Sequence, residues 1–109
     1  MANLWHIYYI HMSHNVNLAI QVLPLHRSQQ EAYAIIDKAI EAIQASGLEY
    51  VVCPFETVIE GPYERVMQLV DDIQTACNKA GADSMLINMK LQRSFVKDIA
   101  IDDKIGKYK

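Results

Sequence analysis

The sequence repeats one order of elements, a strand, a helix and a second strand, twice within 109 residues. Both halves end alike: in IQASGLEYVV and in NKAGADSMLI a helical pattern is followed by glycine, two or three residues, and a strand pattern. A chain of this length is too short for two cores. Two βαβ units in one domain predict the split arrangement of the ferredoxin-like fold. We therefore predict an α+β fold, a ferredoxin-like βαββαβ sandwich with an antiparallel four-stranded sheet and two helices on one face.

Local signals set the elements of the first half. Residues 17–25, NLAIQVLPL, alternate with the period of two that is typical of a strand, and Pro24 ends it because proline cannot donate to a sheet ladder. Ser28 and Glu31 form a capping box at the start of the following helix. Gly47 lies where the left-handed residue after a helix belongs. The next run, LEYVVCP, is predicted to be a short strand.

The stretch ETVIEGPYERV, residues 56–66, allows two interpretations. Glu56 and Glu60 could be an acid/base pair, or the stretch could join a strand to a helix. In a strand the two positions lie about 13 Å apart, whereas a glycosidase-type pair needs roughly 5 to 10 Å. Gly61 permits a sharp turn and Pro62 suits the first helical position. We favour the joint.

The two helices are expected to cover one face of the sheet and to leave the other face open. The last strand, SMLINMKLQ, alternates between the two faces. On the open face we expect Ala19, Gln21, Leu23, Leu86, Asn88, Lys90 and Gln92. A mixed apolar and polar face of this kind usually meets a partner subunit or a ligand. The tail IAIDDKIGKYK predicts a linker and a turn of helix capped by Asp102.

Composition argues against several classes of function. A net charge of −3 gives no broad basic surface for nucleic acid or an anionic membrane. No apolar run approaches the roughly 18 residues that span a bilayer. An RNA-recognition domain of the same fold would need aromatic residues where this chain has INMKL. Two cysteines are too few for a disulfide framework, so we expect a cytoplasmic location.

The N-terminal stretch is treated separately from the domain. We predict an N-terminal extension over residues 1–16, whose native status is left open, and one domain over residues 17–109. Three histidines of the extension, His6, His11 and His14, could form a metal cluster, but no acidic ligand lies nearby. A solvated arm or a purification artefact is the favoured interpretation, and we predict no metal site.

No catalytic motif is present in the sequence, so we predict no catalytic residues and no enzyme. Cys53 and Cys77 could be nucleophiles, yet no histidine follows either one, and small core hydrophobes are favoured. The remaining option is a non-covalent site. Tyr50, Phe55 and Tyr63 could stack on a heteroaromatic or cationic ligand, although each could instead be a core residue. Donors and acceptors without strong charge are available from Gln21, Thr57, Asn88 and Lys90.

From Asn17 to Lys109 the chain resembles the thiamine-binding protein family, small ferredoxin-like proteins that bind thiamine or its hydroxymethylpyrimidine moiety. The resemblance rests on AIQVLP, IIDKAIEAIQASGLEY, TVIEG, INMKL and IAIDDKIGKY, in this order. It implies a non-catalytic carrier that needs no cofactor besides its ligand. It also implies self-association through the open sheet faces, as dimers that pair into tetramers, with the C-terminal segment taking part.

The resemblance implies a ligand near Thr57 and Glu60, with Gln21 and the polar residues of the last strand as neighbours. The ligand-binding candidates are Gln21, Phe55, Thr57, Glu60, Asn88 and Lys90. Some relatives carry acidic residues on the last strand, where this chain has Lys90 and Gln92. Like-charge repulsion from Lys90 disfavours the cationic thiazolium of thiamine relative to the neutral pyrimidine alcohol.

Two alternatives to a carrier are open. One is a structural or regulatory ferredoxin-like assembly module without a working small-molecule site. The other, disfavoured because no base–nucleophile pair is found, is an enzyme that acts on a pyrimidine.

Overall fold

The computed structural model describes residues 13–109, so His6 and His11 lie outside the described residues. The elements in chain order are β1 (Asn15–Pro24), α1 (Gln29–Ala45), β2 (Glu49–Val52), β3 (Thr57–Pro62), α2 (Tyr63–Lys79), β4 (Met85–Gln92), α3 (Asp102–Ile105) and a 3-10 turn (Gly106–Tyr108). β1 begins two residues before the predicted domain boundary, and its Val16 is fully buried.

The four strands form one sheet in the order β2-β3-β1-β4. Each neighbouring pair is antiparallel. Each βαβ unit therefore places its two strands on either side of a strand from the other unit. This is the ferredoxin-like arrangement, and the predicted α+β fold is confirmed.

The helix signals read from the sequence occur as predicted. Ser28 caps α1 by accepting from the Glu31 amide at 3.1 Å, and the Glu31 carboxylate accepts from the Ser28 amide at 3.0 Å. The backbone hydrogen bond from Ser28 lowers the pKa of Glu31 below its usual value. Gly47 follows α1 with φ +74°, and Gly81 follows α2 with φ +112°. Both glycines occupy the left-handed region that ends a helix.

β3 runs directly into α2, so the interpretation of this stretch as a strand–helix joint is confirmed. The roles predicted for Gly61 and Pro62 are wrong. Gly61 is a strand residue outside the left-handed region, and a Cβ there would lie 2.9 Å from Leu48 Cδ2. Position 61 needs a glycine because the Leu48 side chain approaches the backbone closely there, and not because the chain turns. Pro62 is the N-cap residue, and the first helical residue is Tyr63.

The core lies between α1, α2 and one face of the sheet. The largest side chains with less than 2% exposure are those of Val16, Leu18, Ile59, Val66, Ile73 and Cys77. Burial raises the pKa of the Cys77 thiol, which disfavours the thiolate. Cys77 is therefore the small core hydrophobe that the sequence predicted.

The N-terminal end of β1 is tied to α2. The Ser13 hydroxyl donates to Glu64 Oε1 at 2.6 Å, and the Ser13 amide donates to Glu64 Oε2 at 3.1 Å. The hydrogen bond from the Ser13 side chain lowers the pKa of Glu64. Arg93 donates to the Ser13 hydroxyl at 3.2 Å, and its guanidinium lies 3.9 Å from the ring centre of Tyr63. Tyr63 thus has a structural cation–π contact.

The predicted turn of helix near the C-terminus is present as α3, but its cap is different. Ile101 is the N-cap residue and makes no side-chain cap, whereas Asp102 is the first helical residue. No helix within residues 13–109 combines the length and the apolar character needed to cross a membrane.

Candidate functional site

On the sheet face that the helices leave open, residues paired across neighbouring strands form rows. Together these rows are here called the grid. One row contains Glu60, Asn17 and Gln92, and the next contains Val58, Ala19 and Lys90. Two further rows pair Gln21 with Asn88 and Leu23 with Leu86. All seven residues expected on the open face lie in this grid.

Residues 93–109, here called the C-terminal segment, return from β4 to the first row of the grid. Asn17 is only 4% exposed and donates through Nδ2 to the Ile99 carbonyl at 3.0 Å. Its Oδ1 accepts from Lys104 Nζ at 2.7 Å. The Glu60 carboxylate accepts from the Ile101 amide at 2.5 Å. The polar groups of the first row therefore fix the C-terminal segment on the sheet.

A cleft of about 410 Å³ lies where the C-terminal segment meets the open face. Its sheet side includes the small apolar side chains Ala19, Val51 and Val58. The C-terminal segment contributes Ile101, Lys104 and Ile105. Polar side chains around it come from Asn17, Glu56, Lys90 and Gln92. Cys53 also lines the cleft and is half-buried, so it is not the core residue that the sequence favoured. The cleft is a slot between a shallow apolar surface and a polar rim.

The charges of the slot are unevenly distributed. Lys90 and Lys104 both line it, and neither forms an ion pair with a partner among residues 13–109. Glu56 also lines the slot. Glu56 directly precedes Thr57, so continuing the register of β3 and β1 places Glu56 opposite Gln21, two residues along the sheet from the row of Lys90.

Four of the six predicted ligand-binding residues share the open face. Gln21 and Asn88 form a pair in which Asn88 Nδ2 donates to Gln21 Oε1 at 3.2 Å. Lys90 lines the slot, whereas Glu60 is not among the lining residues and accepts from the Ile101 amide.

The other two predicted residues are elsewhere. Thr57 pairs with Ile20 on the helix side of the sheet and is 7% exposed. Phe55 lies in the loop between β2 and β3 and is 81% exposed. Both line a second cleft of about 270 Å³, against Tyr33 and Ile36 of α1. Because Thr57 and Glu60 are an odd number of positions apart in one strand, their side chains lie on opposite faces.

The other two aromatic candidates, Tyr50 and Tyr63, also lie away from the slot. Tyr50 packs against the core, as favoured by the sequence. The Tyr63 ring is covered by the guanidinium of Arg93. No group of three or more His, Cys, Asp or Glu side chains within residues 13–109 has the arrangement to hold a metal ion.

Sequence reasoning missed the part of the slot that the C-terminal segment supplies. Asn17 and Lys104 are 87 positions apart. No local pattern links them, because the contact exists only after the sheet has formed. The period of two did place Asn17 on the same face as Ala19 and Gln21, and that is the one available signal.

The fold and the slot define a class of protein: ferredoxin-like domains with a cleft on the free face of a single sheet. A family model described as thiamine-binding protein matches residues 18–109, and the chain belongs to this family. A UPF0045 protein of Clostridium perfringens is 30% identical over 93 residues, which cover 85% of this chain and 96% of that protein.

Two solved structures are similar over most of their length. A Bacillus cereus domain of unknown function, DUF77, has a TM-score of 0.80 at 32% identity and covers 89% of this chain and 92% of its own. A Thermotoga maritima protein, provisionally assigned to thiamine biosynthesis or salvage, has a TM-score of 0.79 at 27% identity. That match covers 87% of this chain and 99% of the Thermotoga chain.

Proposed function

We propose that the protein is a non-catalytic carrier of thiamine or of its hydroxymethylpyrimidine moiety, and that the open-face slot holds the ligand. Membership of the thiamine-binding protein family supports the ligand class. The similar Thermotoga maritima protein, provisionally assigned to thiamine biosynthesis or salvage, supports it as well. The observation that carries the proposal is the slot itself, which combines a shallow apolar surface with a polar rim.

The slot suits a planar pyrimidine. Ala19, Val51 and Val58 offer a surface on which a ring can lie, and Ile101 and Ile105 can pack against the opposite side of the ring. An aminopyrimidine also needs an acceptor for its exocyclic amine and donors for its ring nitrogens.

These polar groups are available at the rim. The Glu56 carboxylate can accept, and the Gln92 amide and the two lysines can donate. A ligand that lacked either function would leave one of these groups unpaired, at a cost of about 1–3 kcal/mol per group.

The charges favour the pyrimidine part over the whole vitamin. The slot contains two ammonium groups, on Lys90 and Lys104, and the thiazolium ring of thiamine carries a positive charge. Hydroxymethylpyrimidine avoids this repulsion because it is neutral. No cofactor takes part in this scheme, since binding and release need none.

We also propose that a second copy of the chain covers the open face. Leu23 is 37% exposed and Leu86 is 52% exposed, and they lie together in the row beyond Gln21 and Asn88. Covering these side chains by a dimer, with dimers pairing further into tetramers, would enclose the slot between subunits. The two cysteines described are both free thiols, in keeping with a cytoplasmic location.

Isothermal titration calorimetry against thiamine and against hydroxymethylpyrimidine tests the ligand. Ala19→Leu, which places a larger side chain on the slot surface, should abolish binding and leave the fold intact by circular dichroism. Thr57→Val is the matched control, because Thr57 lines only the helix-side cleft. We expect hydroxymethylpyrimidine to bind and Thr57→Val to bind it as well as the unmodified protein does.

Two results would contradict the proposal. Loss of binding in Thr57→Val, with retention in Ala19→Leu, would move the ligand to the helix-side cleft. No binding of either compound would favour the assembly module, in which the open face only pairs subunits. Sedimentation velocity tests that pairing separately: Leu86→Lys should shift the oligomer to monomer.

A further inference from the structure

We infer that the slot selects a phosphate monoester of its pyrimidine ligand, with Lys90 and Lys104 as the residues that recognise the phosphate. This inference rests on the proposed function, because it assigns the chemical class of the ligand to the same slot. It starts from two ammonium groups that line one slot and have no carboxylate partner among residues 13–109.

The position of Lys104 is fixed by a buried group. Lys104 Nζ donates to Asn17 Oδ1 at 2.7 Å, and Asn17 is itself held by its bond to the Ile99 carbonyl. An ammonium has three donors, and this contact uses one of them. The Asn17 amide is neutral, so it orients the lysine without neutralising its charge. Lys104 is therefore set in place with donors to spare for a ligand.

Lys90 lies at the same end of the slot as Lys104. It is opposite Ala19, and Asn17 is its diagonal neighbour across β1 and β4. Such diagonal neighbours have Cα atoms about 7–8 Å apart. Both side chains are long enough to reach one group placed between them. Two like charges at one end of a slot repel one another, and an anion between them removes that repulsion.

The acidic group of the slot is at a different position. Continuing the register, Glu56 lies two residues along the sheet and two strands across from Lys90, or about 12 Å between Cα atoms. Glu60, opposite Asn17, is not among the residues that line the slot, and its carboxylate accepts from the Ile101 amide. Among the lining residues, the two lysines and Glu56 therefore form a cationic end and an acidic end. A ligand that complements it carries an amine or a protonated ring nitrogen at one part and an anion at another.

A phosphate monoester of hydroxymethylpyrimidine has these features. Its amine and ring nitrogens suit the Glu56 end, and its phosphate, with an average charge between −1.5 and −2 at neutral pH, suits the two lysines. Charge-assisted hydrogen bonds from an ammonium to a phosphate are stronger than the bonds that the uncharged alcohol can make. The monoester should therefore bind about 10- to 100-fold more tightly than the alcohol.

The test is calorimetry with two matched pairs of ligands, hydroxymethylpyrimidine with its monophosphate and thiamine with thiamine monophosphate. We expect the monophosphate of the pyrimidine to bind most tightly, with a preference over the alcohol that declines as salt is added. Lys104→Met and Lys90→Met should each weaken the monophosphate more than the alcohol and so remove most of that preference.

Matched variants separate charge from structure. Lys107→Met removes a lysine of the same segment that lies over the Tyr108 ring and does not line the slot, and the preference should persist in it. Lys104→Arg keeps the positive charge and should keep most of the preference.

The outcomes distinguish this inference from the proposed function. Equal binding of the alcohol and its monophosphate would overturn the inference and leave the carrier in place. A preference that survives in both Lys104→Met and Lys90→Met would overturn the assignment of the lysines. Tighter binding of thiamine monophosphate than of the pyrimidine monophosphate would overturn the choice of ligand. No binding of any of the four compounds would overturn the proposed function and, with it, the inference.

Discussion

Replacing Asn17 with alanine should release the C-terminal segment from the sheet while the core stays folded. Asn17 is 4% exposed, and both ends of its amide are used, on the Ile99 carbonyl and on Lys104 Nζ. In Asn17→Ala the carbonyl of Ile99, a residue that is 7% exposed, loses its side-chain donor. Leaving a buried carbonyl without a partner costs about 1–3 kcal/mol.

Lys104 adds little to this cost. It is an exposed residue, so its ammonium regains water when the bond to Asn17 is lost. The segment should therefore be destabilised by about 1–3 kcal/mol, which corresponds to an opening equilibrium about 5- to 150-fold larger.

Amide hydrogen exchange measures this opening residue by residue. The amides of Ile99 and Ile101 report on the segment, because they donate to the Asn15 carbonyl and to the Glu60 carboxylate. Their protection should fall by the same 5- to 150-fold. The amide of Ile73, in the buried face of α2, is the internal reference and should change much less.

Asn88→Ala is the matched control, because Asn88 lies on the same face and its amide bonds only to Gln21 within the described chain. Protection of the segment should be unchanged in this control. Unchanged protection of Ile99 and Ile101 in Asn17→Ala would refute the reasoning. An equal loss at Ile73 would also refute it, since Asn17 would then stabilise the whole fold.

Other changes test other parts of the molecule. Ser13→Ala should raise the pKa of Glu64, measured by NMR titration, because the Ser13 side chain is the largest cause of its lowering. The difference in unfolding free energy between the unmodified protein and Ser13→Ala should be largest above the usual glutamate pKa of 4.5. It should shrink as the pH falls through the lowered pKa of Glu64 in the folded protein. Urea midpoints that differ as much at pH 2 as at pH 7 would contradict this. Gly61→Ala should cost about 1–3 kcal/mol in urea unfolding, because its Cβ meets Leu48, and an unchanged midpoint would show that Leu48 moves aside freely.

The fold could be predicted because its signals are local. The capping box at Ser28, the glycine at position 47 and the alternation of β1 each act within a few residues, and each occurs as expected. The prediction for Gly61 is wrong because a glycine near the end of a strand can serve a turn or a close contact, and only the position of Leu48 decides between them.

The candidate site could be predicted only in part. Alternation placed Gln21, Asn88 and Lys90 on the open face. It could not show that the C-terminal segment would return to Asn17 and Glu60, since those contacts join residues 41 or more positions apart. Thr57 was grouped with Glu60 through the resemblance, although the period of two already places the two side chains on opposite faces.

The order of synthesis gives the first row of the grid a particular history. Asn17 leaves the ribosome early, in a strand whose two neighbours, β3 and β4, are both made after the first helix. The donor to its side-chain oxygen, Lys104, is made 87 positions later. Without that lysine and its segment, the sheet face has only part of a slot. A chain that ends before Lys104 therefore has an incomplete slot, and its Asn17 side chain lacks this donor.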